Sequence, residues 1–144
     1  MEASAIGNAA LWGAIAVSAL GALICLVPKR GSMGRSLLFG SLALAAVAAG
    51  ALTYALVTGD FGMTYVAETT SRSAPLPYRV AALWGGMEGS LLFYATLTLA
   101  VGAGAVRRLA RDVQPVATAV VAAAGFGLLL LTAVFASPFA KGPG

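Results

Sequence analysis

The sequence predicts an all-α, multi-pass membrane protein with four transmembrane helices and one long outer link. Of its 144 residues, 60% are hydrophobic and 10% are charged, and the mean hydropathy is +0.91. A soluble domain carries about 25% charged residues. Four apolar stretches also reach the roughly 20 residues that are needed to cross the hydrocarbon core of a bilayer. Hydropathy should therefore decide the layout of the chain.

The four predicted helices cover approximately residues 5–27, 36–58, 89–106 (or from about 80) and 115–136. Pro115 suits the first turn of the fourth helix. The start of the chain, "MEASAIGNAA", has no basic residue before its apolar run, so we expect a retained helix and not a signal peptide. All four stretches contain alanine and glycine, which allow close helix packing in lipid. A single membrane domain, 1–144, is expected.

Charge bias predicts the orientation of the helices. The first and third connections hold six basic residues, Lys29, Arg30, Arg35, Arg107, Arg108 and Arg111, and the other polar segments hold three, Arg72, Arg79 and Lys141. Connections rich in Lys and Arg stay in the cytoplasm. We therefore expect a location in the cytoplasmic membrane. Both termini and the outer link, residues 59–88, would lie on its periplasmic or outer side.

The composition excludes several kinds of site. The chain has no histidine and one cysteine, Cys25, so it cannot build a zinc site, a Cys/His nucleophile pair or an internal disulfide. We expect Cys25 to face lipid or a helix as a small apolar residue. No basic stripe with interleaved aromatics predicts nucleic-acid binding. A transporter is disfavoured, because the spans hold almost no ionisable group away from Glu88.

The outer link is the segment where function is expected. It spans residues 59–88, whereas helix connections in bundles usually take about 2 to 8 residues. It contains Phe61, Tyr65, Tyr78 and Trp84, and such aromatic residues favour the membrane interface. Two interpretations stay open: an interfacial belt, or an amphipathic shelf that holds a flat apolar ligand.

The motif "LWGGMEGS" ends this link and enters the third long helix. Gly85 and Gly89 have the GxxxG spacing that usually marks close helix contact. Glu88 is favoured at a helix start by the helix dipole, and Ser90 can cap the helix or hydrogen-bond locally. In the alternative interpretation, the glycines clear space for a ligand or partner helix over Trp84, while Glu88 anchors a polar group.

The string "SAPLPYRVAALWGGMEGSLLFY" resembles the N-terminal part of the CcmF-type cytochrome c maturation proteins, the haem lyase components of the cytochrome c assembly family. The matching residues are Ser73, Leu76, Pro77, Tyr78, Arg79, Ala82, Trp84, Gly85, Gly86, Glu88, Gly89, Ser90, Leu91 and Leu92. Upstream "TYALVTGDFGMTYVAETTSRS" and downstream "FASPF" extend the resemblance over nearly the whole chain. Related nitrite-reductase assembly proteins share the motif.

The resemblance implies haem as the cofactor. Proteins of this family hold haem within the membrane and handle a second haem at an outer tryptophan-rich segment with histidine ligands. They then join haem to apocytochrome c. This chain matches only the first four helices, lacks that segment and all histidines, and has Met87 where the family usually has histidine. We therefore expect a split or truncated form that is not catalytic alone, with haem ligated by a partner chain or a missing C-terminal part.

The resemblance also implies site residues and partners. The expected haem-facing or motif residues are Trp84, Gly85, Gly86, Glu88, Gly89 and Ser90. Arg72 and Arg79 are expected to contact haem propionates or lipid phosphates, and Tyr65 and Tyr78 are expected to be interfacial. The implied partners are the C-terminal part of the lyase or a separate histidine-containing subunit, other maturation proteins, apocytochrome c and the bilayer. The alternative function is a non-catalytic membrane scaffold of the same machinery.

Overall fold

Four long helices form the frame of the chain in a computed structural model that describes residues 2–142. In chain order the α-helices are α1 (Glu2–Ile24), α2 (Gly31–Thr58), α3 (Thr64–Thr69), α4 (Leu76–Ala81), α5 (Met87–Val106) and α6 (Gln114–Leu131). Helices α1, α2, α5 and α6, the last with its π-helical extension to Ala136, are long and apolar enough to cross a membrane. The predicted all-α class with four transmembrane helices is confirmed.

Helix α2 lies at the centre of the bundle and packs against α1, α5 and α6. Its buried positions combine leucines with small residues, including Ala45, Ala48 and Ala55. Small side chains let helix backbones approach closely where lipid provides no hydrophobic driving force. Ser18 and Ser41 hydrogen-bond to each other across α1 and α2, and Ser41 Oγ lies 3.1 Å from the Ala14 carbonyl oxygen.

Several helix bounds differ by a few residues from the sequence expectation. Helix α2 begins at Gly31 instead of Ser36, so the polar stretch before its apolar run is already helical. This extra turn places Arg35 on the helix, where Nη1 donates to Gln114 Oε1 of α6 at 2.6 Å. Helix α1 ends at Ile24, and the chain then turns through Lys29, whose φ is 69°.

The third long helix does not run continuously from residue 80. Helix α4 passes into a 3₁₀-helix, Ala82–Trp84, and the helical path is then broken at Gly86, whose φ and ψ are −126° and 165°. Extended backbone at Gly86 stops the i to i−4 hydrogen-bond pattern, so α5 starts afresh at Met87. The glycine-rich motif is thus a corner between two helices.

The C-terminal residues fold back onto the outer link. Helix α6 widens into a π-helix, Thr132–Ala136, and ends at Ser137 in the left-handed conformation. Phe139 is buried against Gly7 of α1. The Thr64 N–H donates to the Ala140 carbonyl at 3.1 Å, and the Gly142 N–H donates to the Gly62 carbonyl at 3.0 Å. Pro143 and Gly144, the end of the tail "SPFAKGPG", lie outside the described residues, as does Met1.

Candidate functional site at the outer link

Tyr65 of α3 forms the centre of the outer link. Its side chain is only 4% exposed, and Oη donates to the Ala82 carbonyl at 2.7 Å, with the Leu83 carbonyl 3.3 Å away. Burial raises the pKa of the Tyr65 phenol above its usual 10.0, and the charge of Glu88 raises it further. The structure therefore places Tyr65 in the packed interior of the link, where the sequence analysis expected an interfacial aromatic residue.

Two motif glycines pack directly against Tyr65. A Cβ on Gly89 would overlap both the Leu83 carbonyl oxygen and Tyr65 Oη. A Cβ on Gly86 would lie 2.6 Å from Tyr65 Cε2. The space beside these glycines is therefore occupied by a side chain of the same protein. Gly85, by contrast, is exposed.

The other motif residues surround the corner between the 3₁₀-helix and α5. The Trp84 ring is 52% exposed and meets the Phe93 ring edge-on, with centroids 5.4 Å apart and an interplanar angle of 75°. Ser90 Oγ donates to the Trp84 carbonyl at 3.3 Å, which makes a local hydrogen bond across the corner. Glu88 lies in the first turn of α5, where the helix dipole favours a carboxylate.

Arg79 of α4 ties the outer link to the end of α2. Its guanidinium and Nε donate to three backbone carbonyls, those of Ala74 at 3.1 Å, Val57 at 3.0 Å and Arg72 at 2.8 Å. These three bonds use three of the five N–H donors of an arginine. The Arg72 side chain is exposed, and its guanidinium carbon lies 5.4 Å from the centroid of the Phe61 ring.

The predicted site residues thus fall into two groups. Tyr65, Gly86 and Gly89 lie inward and hold the corner together. Trp84 and Tyr78 point outward, and Tyr78 is 72% exposed. Met87 is exposed at the start of α5. Within residues 2–142, no group of three or more His, Cys, Asp and Glu side chains is placed to hold a metal ion.

This geometry defines a class: a multi-pass membrane protein whose outer link is ordered by the hydrogen bonds of a buried tyrosine and a half-buried arginine and presents exposed aromatic rings. A comparison with protein-family models finds no match. Curated relatives named "Cytochrome c-type biogenesis protein CcmF" do match. The Pseudomonas aeruginosa protein is 36% identical over 76% of this chain and 17% of its own length. The Haemophilus influenzae protein is 30% identical over 94% of this chain and 22% of its own length.

A comparison with solved structures also finds a CcmF protein. The chain superposes on "Cytochrome c Heme Lyase CcmF" with a TM-score of 0.90 and 29% sequence identity, over 96% of this chain and 25% of that protein. The chain is therefore a partial CcmF-type sequence and has a membrane location. It spans about a fifth of the length of the curated relatives that it matches, 17% and 22% for the two named above.

Proposed function

We propose that this chain is the N-terminal membrane part of a cytochrome c-type biogenesis protein and helps to handle haem for attachment to apocytochrome c. The relatives are named for cytochrome c biogenesis, and the matching structure is named a haem lyase. Because the chain spans only about a fifth of those relatives, their whole activity does not follow from the match. The proposal therefore concerns one part of a larger assembly.

One observation carries the proposal: the outer corner presents aromatic rings to its surroundings while its own polar groups are hydrogen-bonded beneath them. Trp84 and Tyr78 are mostly exposed, although Tyr65 in the same segment is buried. A flat apolar ring is stabilised by stacking or edge contact with such faces. When bound, haem supplies that flat ring together with two anionic propionates. The exposed aromatic rings suit the flat ring, and the exposed Arg72 of the same link suits the propionates.

The residues present do not make a complete haem site. No imidazole ligand is available, because the sequence contains no histidine. Three Arg79 donors are already used by backbone carbonyls, so Arg72 is the better candidate for propionate contact. In the proposed assembly, axial ligands come from a C-terminal part of the protein or a separate histidine-containing subunit. The other proposed partners are further maturation proteins and apocytochrome c.

The proposed location is the cytoplasmic membrane, with the outer link and both termini on the periplasmic side. The bias of basic residues toward the other two connections supports this orientation. In a Cys25→Ser background, Ser73→Cys should react with a membrane-impermeant maleimide in intact cells. Ser32→Cys, exposed at the opposite end, should react only after the membrane is opened. The reverse labelling would contradict the orientation.

A second candidate function is a scaffold that positions other maturation proteins without contacting haem. It is favoured by the absence of histidine and by the use of Arg79 donors within the chain. An absorption spectrum of the C-terminally tagged chain, purified from native membranes in mild detergent, separates the two functions. A Soret band that travels with a larger partner supports haem handling. Co-purifying partners without haem support the scaffold.

A matched pair of tryptophan variants refines this experiment. Trp84 in the outer corner is 52% exposed, and Trp12 of α1 is 49% exposed. If haem rests against the outer corner, Trp84→Ala should lower the ratio of Soret to protein absorbance, whereas Trp12→Ala should not. Equal ratios in both variants and in the unmodified chain would remove Trp84 from the haem-handling surface.

A further inference from the structure

Two adjoining clefts lie at the end of the bundle opposite the outer link. One has a volume of about 570 Å³ and is lined by Arg35, Arg107, Arg111, Ser32 and Gln114, among others. The other has a volume of about 490 Å³ and is lined by Arg35, Arg107 and Phe39. We call them together the arginine cleft. It joins the start of α2 to the connection between α5 and α6.

The arginine side chains of this cleft are held in place by neutral groups. Arg35 Nη1 donates to Gln114 Oε1 at 2.6 Å, and Gln114 Nε2 donates to the Leu109 carbonyl at 2.9 Å. The guanidinium carbon of Arg107 lies 5.6 Å from the centroid of the Phe39 ring. These contacts orient two guanidinium groups toward a shared space without cancelling their charge.

The cleft therefore concentrates positive charge. Three arginines line it, and among the residues that the structure describes no Asp or Glu lines either part. Like charges repel, more strongly beside low-dielectric protein and lipid than in bulk water. An anion bound between the arginines would relieve this repulsion. Guanidinium groups also match phosphate oxygens with paired hydrogen bonds.

Exposed apolar residues directly adjoin several lining residues in the sequence. Met33, Val113 and Val116 are large, exposed hydrophobic residues next to Ser32, Gln114 and Pro115 respectively. A soluble phosphate compound gains nothing from such a surface, whereas the acyl chains of a lipid do. Basic pockets between transmembrane helices are known to receive anionic lipid head groups.

We propose that the arginine cleft binds the phosphate head group of an anionic phospholipid, with Arg35, Arg107 and Arg111 as its cationic contacts. The neighbouring apolar side chains would lie against its acyl chains. The site is at the opposite end of the protein from the outer link, and it does not depend on the function proposed above.

The test is native mass spectrometry of the full chain released from micelles that contain equal amounts of phosphatidylglycerol and phosphatidylcholine. The unmodified chain should retain phosphatidylglycerol in preference. The double variant Arg107→Gln/Arg111→Gln should weaken this retention by about fivefold for each charge removed. The matched control is Arg30→Gln/Arg108→Gln, which removes two positive charges at the same end of the protein from positions that line neither cleft. This control should retain the lipid.

Three results would overturn the proposal. Unchanged retention in Arg107→Gln/Arg111→Gln would show that the cleft is not the site. Equal weakening in the control would show only a diffuse charge effect. Displacement of phosphatidylglycerol by glycerol 3-phosphate at equal concentration would show that the cleft takes a soluble phosphate. Should the double variant fail to fold, Arg111→Gln alone replaces it, because that side chain is exposed in the connection.

Discussion

The two ends of this bundle use their arginines in opposite ways. At the end formed by the outer link, Arg79 donates to three carbonyls of its own chain. At the opposite end, Arg107 and Arg111 line a cleft whose described lining contains no carboxylate. Arg79 therefore maintains the shape of a long link, whereas Arg107 and Arg111 leave charge available to an external anion. Arginines that a positive-inside count treats only as charges thus differ in physical role.

The largest expected effect separates the two roles directly. Arg79→Gln should lower the free energy of unfolding by about 3 kcal/mol, because it removes three charge-assisted hydrogen bonds, one of which joins α2 to the link. Thermal unfolding in a neutral detergent measures this loss. Arg72→Gln is the control and should unfold like the unmodified chain, since that side chain is exposed. If Arg79→Gln kept full stability but lost haem in the spectrum above, Arg79 would be a ligand contact and not a structural one.

The second effect concerns the motif glycines. Gly89→Ala should destabilise the chain by about 2 kcal/mol, because its Cβ would overlap the Leu83 carbonyl and Tyr65 Oη. Gly104→Ala in the same helix is the control, since a Cβ there meets nothing within 4 Å. It should be neutral or should stabilise by up to about 1 kcal/mol through helix propensity. Equal unfolding temperatures for the two variants would mean that the corner is not closely packed.

The third effect is smaller. Tyr65→Phe should cost about 1 kcal/mol, the usual worth of one hydrogen bond, because the hydroxyl no longer donates to the Ala82 carbonyl. Tyr78→Phe is the control, because its ring is mostly exposed and its loss of a hydroxyl should leave stability unchanged. A loss in Tyr78→Phe that matched that of Tyr65→Phe would place both tyrosines in the packed link.

The raised pKa of Tyr65 also predicts that the stability of the protein depends on pH. Its folded pKa lies above the usual 10.0, because burial, and then the charge of Glu88, oppose ionisation. When the pKa of a group is higher in the folded than in the unfolded protein, its full contribution to stability is present below the unfolded pKa. That contribution is lost as the pH rises through the folded pKa. The stability advantage of the unmodified chain over Tyr65→Phe should therefore shrink above about pH 10. A constant difference in unfolding temperature from about pH 8 to pH 11 would contradict this pKa direction.

The four transmembrane helices could be predicted from the sequence, because each span is a long apolar run with small residues. It also placed the glycine motif at the start of α5, where Ser90 hydrogen-bonds locally across the corner. Composition could not show the inward position of Tyr65, because an aromatic residue in a link can face lipid or the link itself. Only the fold brings Ala82 within 2.7 Å of its hydroxyl.

The arginine cleft was also missed at the sequence level. In the sequence analysis, Arg35 and Arg107 were used only to predict the orientation of the helices. A count of basic residues by the positive-inside rule does not show which residues lie close together in the fold. The extra turn of α2 from Gly31 positions Arg35 opposite Gln114, and no local pattern predicted that start. A helix bound is set by the hydrogen bonds of its first turn as well as by hydropathy. An error of one turn at such a bound is enough to hide a site.

The smallest expected effect on stability belongs to the arginine cleft. In a neutral detergent without anionic lipid, Arg107→Gln/Arg111→Gln should unfold at the same temperature as the unmodified chain, because the lost contact with Phe39 is offset by relief of repulsion. Added salt should raise the stability of the unmodified chain slightly and that of the variant less, because salt screens repulsion between exposed charges. A loss as large as that of Arg79→Gln would show that Arg107 and Arg111 also maintain the shape of the protein. The contrast between the two ends would then disappear.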